Sequence, residues 1–202
     1  MYNQNGGFMS LQAIGTVNGL YPSLTTIVGS VVDGRPNWMT VAHVGIMNHA
    51  IGDVPQYLGI SVHPSHHTNL GIREHGQFSI NVPSRSMLEI TDYVGIVSGK
   101  STDKSELFEV FQGRLEFAPM IANCPLTMEC RVRQTVIVGE HELFIGELVQ
   151  TYACPECISD NKVDLRKVDP LLFDFTRILY WSLGDVAGKP WNAGKALKKV
   201  KA

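Results

Sequence analysis

The sequence carries no GxGxxG after its first strand-like run, no GxxxxGK[ST] and no GxSxG. Those absences exclude the glycine-rich dinucleotide turn, the phosphate-cradling P-loop and the nucleophile elbow of an α/β-hydrolase. His141-Glu142 lacks the second histidine of a zinc-protease helix, and no carboxylate pair stands apart from ordinary surface charge. No apolar run approaches the ~20 residues that span a bilayer. Net charge is only −2, so nothing points to nucleic acid or to an anionic membrane surface. Met1–Ser10 lack the basic start and apolar centre of a signal peptide. These readings predict a cytoplasmic chain with no nucleic-acid or membrane partner. They also predict that any chemistry comes from a cofactor and not from a protein nucleophile.

Cysteine is scarce as well, limited to Cys124, Cys130, Cys154 and Cys157. A reducing compartment argues against a disulfide framework, and one Cys-x-x-Cys without a second cannot close a tetrahedral thiolate site. Cys154 and Cys157 therefore read as ordinary loop cysteines, with thiol redox chemistry as the alternative.

What is present is a chain of 202 residues, 44% hydrophobic and 18% charged, consistent with one domain over 1–202. Residues 1–12 read as a poorly ordered arm, 153–168 as a polar excursion and 196–202 as a solvated tail. Ser23–Val32 is rich in β-branched residues and ends at the turn signal Asp33-Gly34, with another strand from Trp38. Leu126–Val138 and His141–Val149 form a hairpin about Gly139-Glu140, and Ile178–Leu183 reads as a last strand. Ser86–Val97 places Met87, Ile90, Val94 and Val97 on one helical stripe, and Glu106–Phe111 reads as a short helix. Many hairpin-linked strands with few helices predict a mainly β, α+β fold built on an antiparallel barrel. Trp38, Phe78, Phe144 and Phe173 read as core or interface residues.

Residues 37–83 organise the rest. Val41, Val44 and Ile46, then Leu58–Val62, read as strands, and Pro64 ends the pairing because it has no N–H. Thr68 stands where an N-cap belongs, Asn69–His75 reads as a short helix, and Gly76 supplies a left-handed stop. Phe78, Ile80 and Val82 then alternate with Ser79 and Asn81, as in a half-buried strand. This arrangement gathers helix N–H groups, the hydroxyls of Ser61 and Thr68 and the imidazoles of His63, His66 and His67. Such a set suits a phosphate; an ordinary helix cap beside solvated histidines is the plainer reading of the same residues. A metal site is a third reading, weakened by the irregular histidine spacing.

Taken in order, several motifs resemble the flavin reductase-like, FMN-binding split-barrel family, most closely its flavoredoxin branch. They are Pro36–His43, His67-Thr68-Asn69, Phe78–Pro83, Ser98–Lys104, Gly139–Glu147 and Tyr180–Lys195. The resemblance implies a homodimer of Greek-key split barrels with a few short helices and an FMN, in preference to FAD, near the dimer interface. By position, Asn37, Met39, Thr40 and His43 would line the flavin. Ser61, Val62, His63, His67 and Thr68 would hold the ribityl chain and phosphate, and Asn81 would approach from the next strand. Lys104 and His141 match the family's polar flavin contacts, and Trp191 an aromatic that covers the ring or the dimer seam. His43 departs from the aromatic residue of close relatives, replacing stacking with a possible hydrogen bond to the ring.

The function implied is an FMN-containing oxidoreductase. It moves electrons from NAD(P)H or a protein donor through bound FMN to flavin, iron or a protein acceptor. A non-catalytic flavin-binding or sensing module is the alternative, since split barrels host several functions.

Overall fold

The computed structural model describes residues 10–48 and 50–198. Residues 1–9 of the expected arm and 199–202 of the expected tail lie outside the described residues. In chain order the elements are β1 (Ser23–Leu24), β2 (Thr26–Val32), β3 (Arg35–Val41), β4 (Val44–Ile46), β5 (Tyr57–Val62), α1 (Thr68–His75), β6 (Gln77–Val82) and α2 (Leu88–Ile96). There follow β7 (Val110–Phe111), β8 (Met120–Ile121), β9 (Leu126–Val138), β10 (His141–Ala153), β11 (Ile158–Ser159) and β12 (Lys162–Val163). The last are α3 (Leu165–Val168), β13 (Leu172–Asp174), β14 (Leu179–Trp181) and α4 (Lys195–Lys198). None of the helices among the described residues is long and apolar enough to cross a membrane.

Seven strands form one antiparallel sheet in the order β3-β2-β6-β9-β10-β5-β4. Its two edges, β3 and β4, are separated in sequence only by Ala42 and His43. So short a link between opposite edges requires the sheet to curl until its margins approach. Ser61 N donates to His43 O at 2.9 Å at that junction. The result is an open barrel: antiparallel, as the hairpin-rich sequence predicts, and split, as the family resemblance implies. Register shifts at Ile145/Gly146 and Leu148/Gln150 mark irregularities in the long β9–β10 hairpin, where bulges increase twist.

The barrel interior is filled by Val28, Met39, Ile60, Phe78, Ile80, Cys130 and Phe144. Ile27, Trp38, Val94, Ile121 and Cys124 form a second cluster, which joins α2 to the sheet. Trp38, Phe78 and Phe144 are core residues, as expected. Helix α1 lies so close to β2 that a Cβ at Gly71 would stand 2.0 Å from Val31 O. Arg73 clamps its outer face to β10 through a bidentate pair with Glu142, at 3.0 and 2.5 Å.

Four local readings are corrected. Residues 106–109 form turns and Val110–Phe111 pairs with Met120–Ile121, so no helix forms over 106–111. The run Ser23–Val32 divides at Thr25 into β1, which pairs with β13, and β2, which enters the main sheet. Thr68 does not cap α1: the cap position is His67, and the Thr68 hydroxyl donates to Asn37 Oδ1 at 3.0 Å. Cys154 and Cys157 are joined in a disulfide, because the single turn Pro155–Cys157 brings their Cα atoms to 5.3 Å.

Glu129 is wholly buried, and its carboxylate accepts from Arg114 N, Leu115 N and the Tyr152 hydroxyl at 2.9, 2.7 and 3.0 Å. It thereby pins the 113–115 turn to the sheet. Glu129→Gln turns one acceptor oxygen into a donor group and is expected to cost about 1–2 kcal/mol of folding stability. Urea denaturation measures this; an unchanged midpoint would mean that the turn does not depend on the carboxylate.

Candidate functional site

At the margin where the sheet curls, β3, the β5–α1 connection and the loop after α2 enclose a cleft of about 250 Å³. Asn37, Met39, Thr40, His67, Thr68 and Lys104 line it, together with Ser98 and Gly99. Beside it, a second cleft of about 240 Å³ is lined by Thr40, His43, Ser61, Val62, His63 and His141. Thr40 and His66 belong to both, so the clefts adjoin.

The first cleft is held open by specific contacts. Thr40 Oγ1 donates to Thr91 O at 2.6 Å and ties β3 to α2. The Lys104 ammonium is almost fully buried and donates to Trp38 O and Val94 O at 3.0 and 2.8 Å. It pairs with no carboxylate among the described residues, and burial lowers its pKa to about 8. At the start of α1, the backbone N–H groups of His67 and Thr68 have no partner among the described residues. His67 Nδ1 is buried and likewise unpaired. A Cβ at Gly99 would stand 2.6 Å from Asn37 Nδ2 and 2.7 Å from His67 Cδ2, so only glycine leaves the loop this close. Unpaired donors, one uncompensated cation and a glycine-lined wall together suit a phosphate.

The second cleft is aromatic and rich in imidazole. Tyr21 OH and His43 Nε2 share a hydrogen bond of 2.7 Å, and His63 Nδ1 shares one of 2.8 Å with Ser65 Oγ. Burial, then the neighbouring His141, holds His43 below the ordinary histidine range. His66 is lowered by burial and by His63, His141 and Lys104. Phe173 and Phe175 close the far side. Among the described residues, no group of three or more His, Cys, Asp or Glu side chains is arranged to hold a metal ion.

Of the residues singled out by the sequence, two are not brought to either cleft. Asn81 is fully buried between β2 and β9, where its amide donates to Ile27 O and Ser79 Oγ and accepts from Ile121 N. All its bonding capacity in that position serves the interior. Trp191 is 92% exposed in a turn near the C-terminus and lines neither cleft. Conversely, Ser98, Gly99, Tyr21 and Phe175 were not anticipated as site residues, whereas His66, grouped with His63 and His67 at the start of α1, lines both clefts. Phe173, expected only as core or interface, is a cleft wall. The polar run at Ser98–Lys104 signals the loop but not which of its members turns inward.

Residues 18–182 match the flavin reductase like domain family. The flavoredoxin from Methanosarcina acetivorans superimposes with a TM-score of 0.88 at 40% identity, covering 94% of this chain and 100% of that one. The flavoredoxin of Desulfovibrio vulgaris (Miyazaki F) gives 0.81 at 29% identity, covering 92% of this chain and 100% of its own. An uncharacterized protein of Archaeoglobus fulgidus is 30% identical over 159 residues, which is 78% of this chain and 86% of the relative. The chain thus belongs to the flavin reductase-like family, of split-barrel fold.

Proposed function

We propose that this protein is an FMN-containing oxidoreductase of the flavoredoxin type. It takes electrons from NAD(P)H or a protein donor and passes them to flavin, iron or a protein acceptor. The observation that carries the reading is the pair of adjoining clefts, one lined, among the described residues, by unpaired donors and a lone cation that suit a phosphate and the other by aromatic and imidazole rings. His67, Thr68 and Lys104 hold the phosphate by charge-assisted and backbone hydrogen bonds. Asn37, Met39 and Thr40 line the first cleft, Thr40 reaching the second as well, and His43, Ser61, Val62, His63 and His141 surround the ring. A bound flavin supplies the redox chemistry, and the protein positions it and sets its electrostatics. The 40% identity to a flavoredoxin over nearly the whole chain supports the same reading.

A homodimer is part of this proposal. Strand β4 is a sheet edge on which Ile46 is 81% exposed, and Ile51 in the following loop is 76% exposed. An apolar edge of that kind is usually covered by a partner.

Absorption spectroscopy of the purified protein, with mass analysis of the released chromophore, tests the cofactor. FMN is expected at one per chain, with Gly99→Ala weakening its binding by about tenfold through overpacking of the cleft wall. A colourless protein that takes up neither FMN nor FAD would refute the proposal. Anaerobic mixing with NADH or NADPH then separates a reductase from a carrier that needs a protein donor.

A further inference from the structure

The second cleft contains more imidazole than holding a flavin requires. His43 and His141 meet edge to face with ring centroids 6.0 Å apart, as do His141 and His63. His63 and His66 follow at 6.5 Å. The array runs from the Tyr21 hydroxyl, bonded to His43, to His66, which also lines the phosphate cleft. We propose that these four imidazoles, closed at one end by Tyr21, form a shared proton reservoir for two-electron reduction of the flavin by an electron-only donor. The inference rests on a flavin ring occupying the histidine cleft.

The electrostatics of the array suit that task. Like charges at this spacing disfavour one another, so a proton on one ring opposes a proton on its neighbour. Burial and the neighbouring rings hold His43 and His66 below the ordinary range, and Lys104 adds to the effect on His66. The carboxylate nearest in sequence, Glu142, is spent on Arg73 and Asn69. The His43 and His66 members of the array therefore hold protons loosely. Negative charge entering the cleft raises the proton affinity of every imidazole that faces it. Protons are then drawn from solvent as electrons arrive.

The balance is simple. Two electrons come from the outside donor. One imidazolium N–H bond breaks, its proton forms the N–H bond at flavin N5, and the neutral imidazole regains a proton from solvent. A hydride donor brings its own hydrogen nucleus and makes no demand on the array. The reservoir thus matters for electron-only donors and not for NAD(P)H.

The experiment compares the FMN-loaded protein with Tyr21→Phe and with a His43→Gln/His66→Gln double variant. Neither His43 nor His66 belongs to a hydrophobic core cluster, so glutamine there does not disturb the core. Quenching of flavin fluorescence first establishes binding in each variant, and circular dichroism establishes folding. The midpoint potential is then followed from pH 5 to 8, and reduction by dithionite and by NADH is timed by stopped flow. The wild type is expected to show a break in the slope of potential against pH that the double variant lacks. Dithionite reduction of the double variant should slow by about tenfold, less than the roughly 100-fold of a single positioned acid because two imidazoles remain. In the same loaded variant, reduction by NADH should slow less than reduction by dithionite, so the ratio of the two rates, compared with that of the wild type, reports the reservoir. Identical pH profiles and dithionite rates in loaded wild type and variants would overturn the reservoir and leave the flavin site standing. A wild-type protein that binds no flavin would overturn both.

Discussion

Gly71→Val is expected to destabilise the protein by about 3 kcal/mol or more and to weaken FMN binding with it. Residue 71 sits in the middle of α1, where its absent Cβ would meet the Val31 carbonyl oxygen at 2.0 Å and Ser30 Oγ at 2.9 Å. The obstacle is the backbone of β2, which pairs with β3 at Val31, so it cannot rotate away as a side chain would. Either the helix lifts or β2 bends. Lifting α1 moves the His67 and Thr68 N–H groups that we assign to the phosphate. Gly71→Ala separates packing from propensity. In an unconstrained helix, alanine gains about 1 kcal/mol over glycine. Here the clash outweighs that gain, and a net loss of about 2 kcal/mol is expected. Urea unfolding with a parallel FMN titration measures both effects. An alanine variant more stable than the wild type would show that α1 does not rest on β2 as described.

The second large effect is expected at Lys104. Lys104→Met keeps the length of the side chain but removes the ammonium, leaving Trp38 O and Val94 O without their donor. Those two bonds serve the fold; the charge-assisted bond to the phosphate proposed above is worth about 1.5–3 kcal/mol, so its loss is expected to weaken FMN binding by roughly 10–100-fold. The pH dependence gives a sharper test. Burial lowers the Lys104 pKa from 10.5 to about 8 in the folded chain. Between those values the unfolded chain holds a proton that the folded chain has lost, so stability rises with pH across that window. The penalty for burying the charge is fully present below pH 8. Ligand binding has the opposite sign. A phosphate favours the protonated amine, so FMN affinity should fall as pH climbs through about 8. Isothermal titration between pH 6.5 and 9.5 measures it, and Lys104→Met should flatten the decline. An equal decline in both proteins would assign the titration to another group.

Local chemistry explains why so much of the strand pattern was legible. Leu126–Val138 and its partner are long runs with a Gly-Glu turn between them, and the hairpin formed where the turn signal stood. Gly76 ends α1 in a left-handed conformation, with φ of 61°, as glycine after a helical stretch predicts. Glu106–Phe111 failed because six residues are too few for periodicity to distinguish a helix from turns leading into a strand. Thr68 failed as a cap for a tertiary reason. Asn37 stands across the cleft and takes the hydroxyl hydrogen, a partner that no local pattern contains. Asn81 has the same residue type and a similar strand setting as Asn37, yet its side chain is committed to the interior.

The sequence by itself determined that this chain is a hairpin-rich, mainly β protein without a glycine-loop nucleotide site. Its ordered motifs identified the family, and the residues around the start of α1 were named before their geometry was known. Turn chemistry, β-branching and alternation act over a few residues, so they can be read from a few residues. Only the tertiary structure decided which of those residues share a surface. The curl of the sheet brings β3, β5, β10 and the loop after α2 to one margin, joining Lys104 to His67 and His43 to His141. That curl comes from two opposite sheet edges joined through Ala42 and His43, a constraint expressed only once all seven strands are paired.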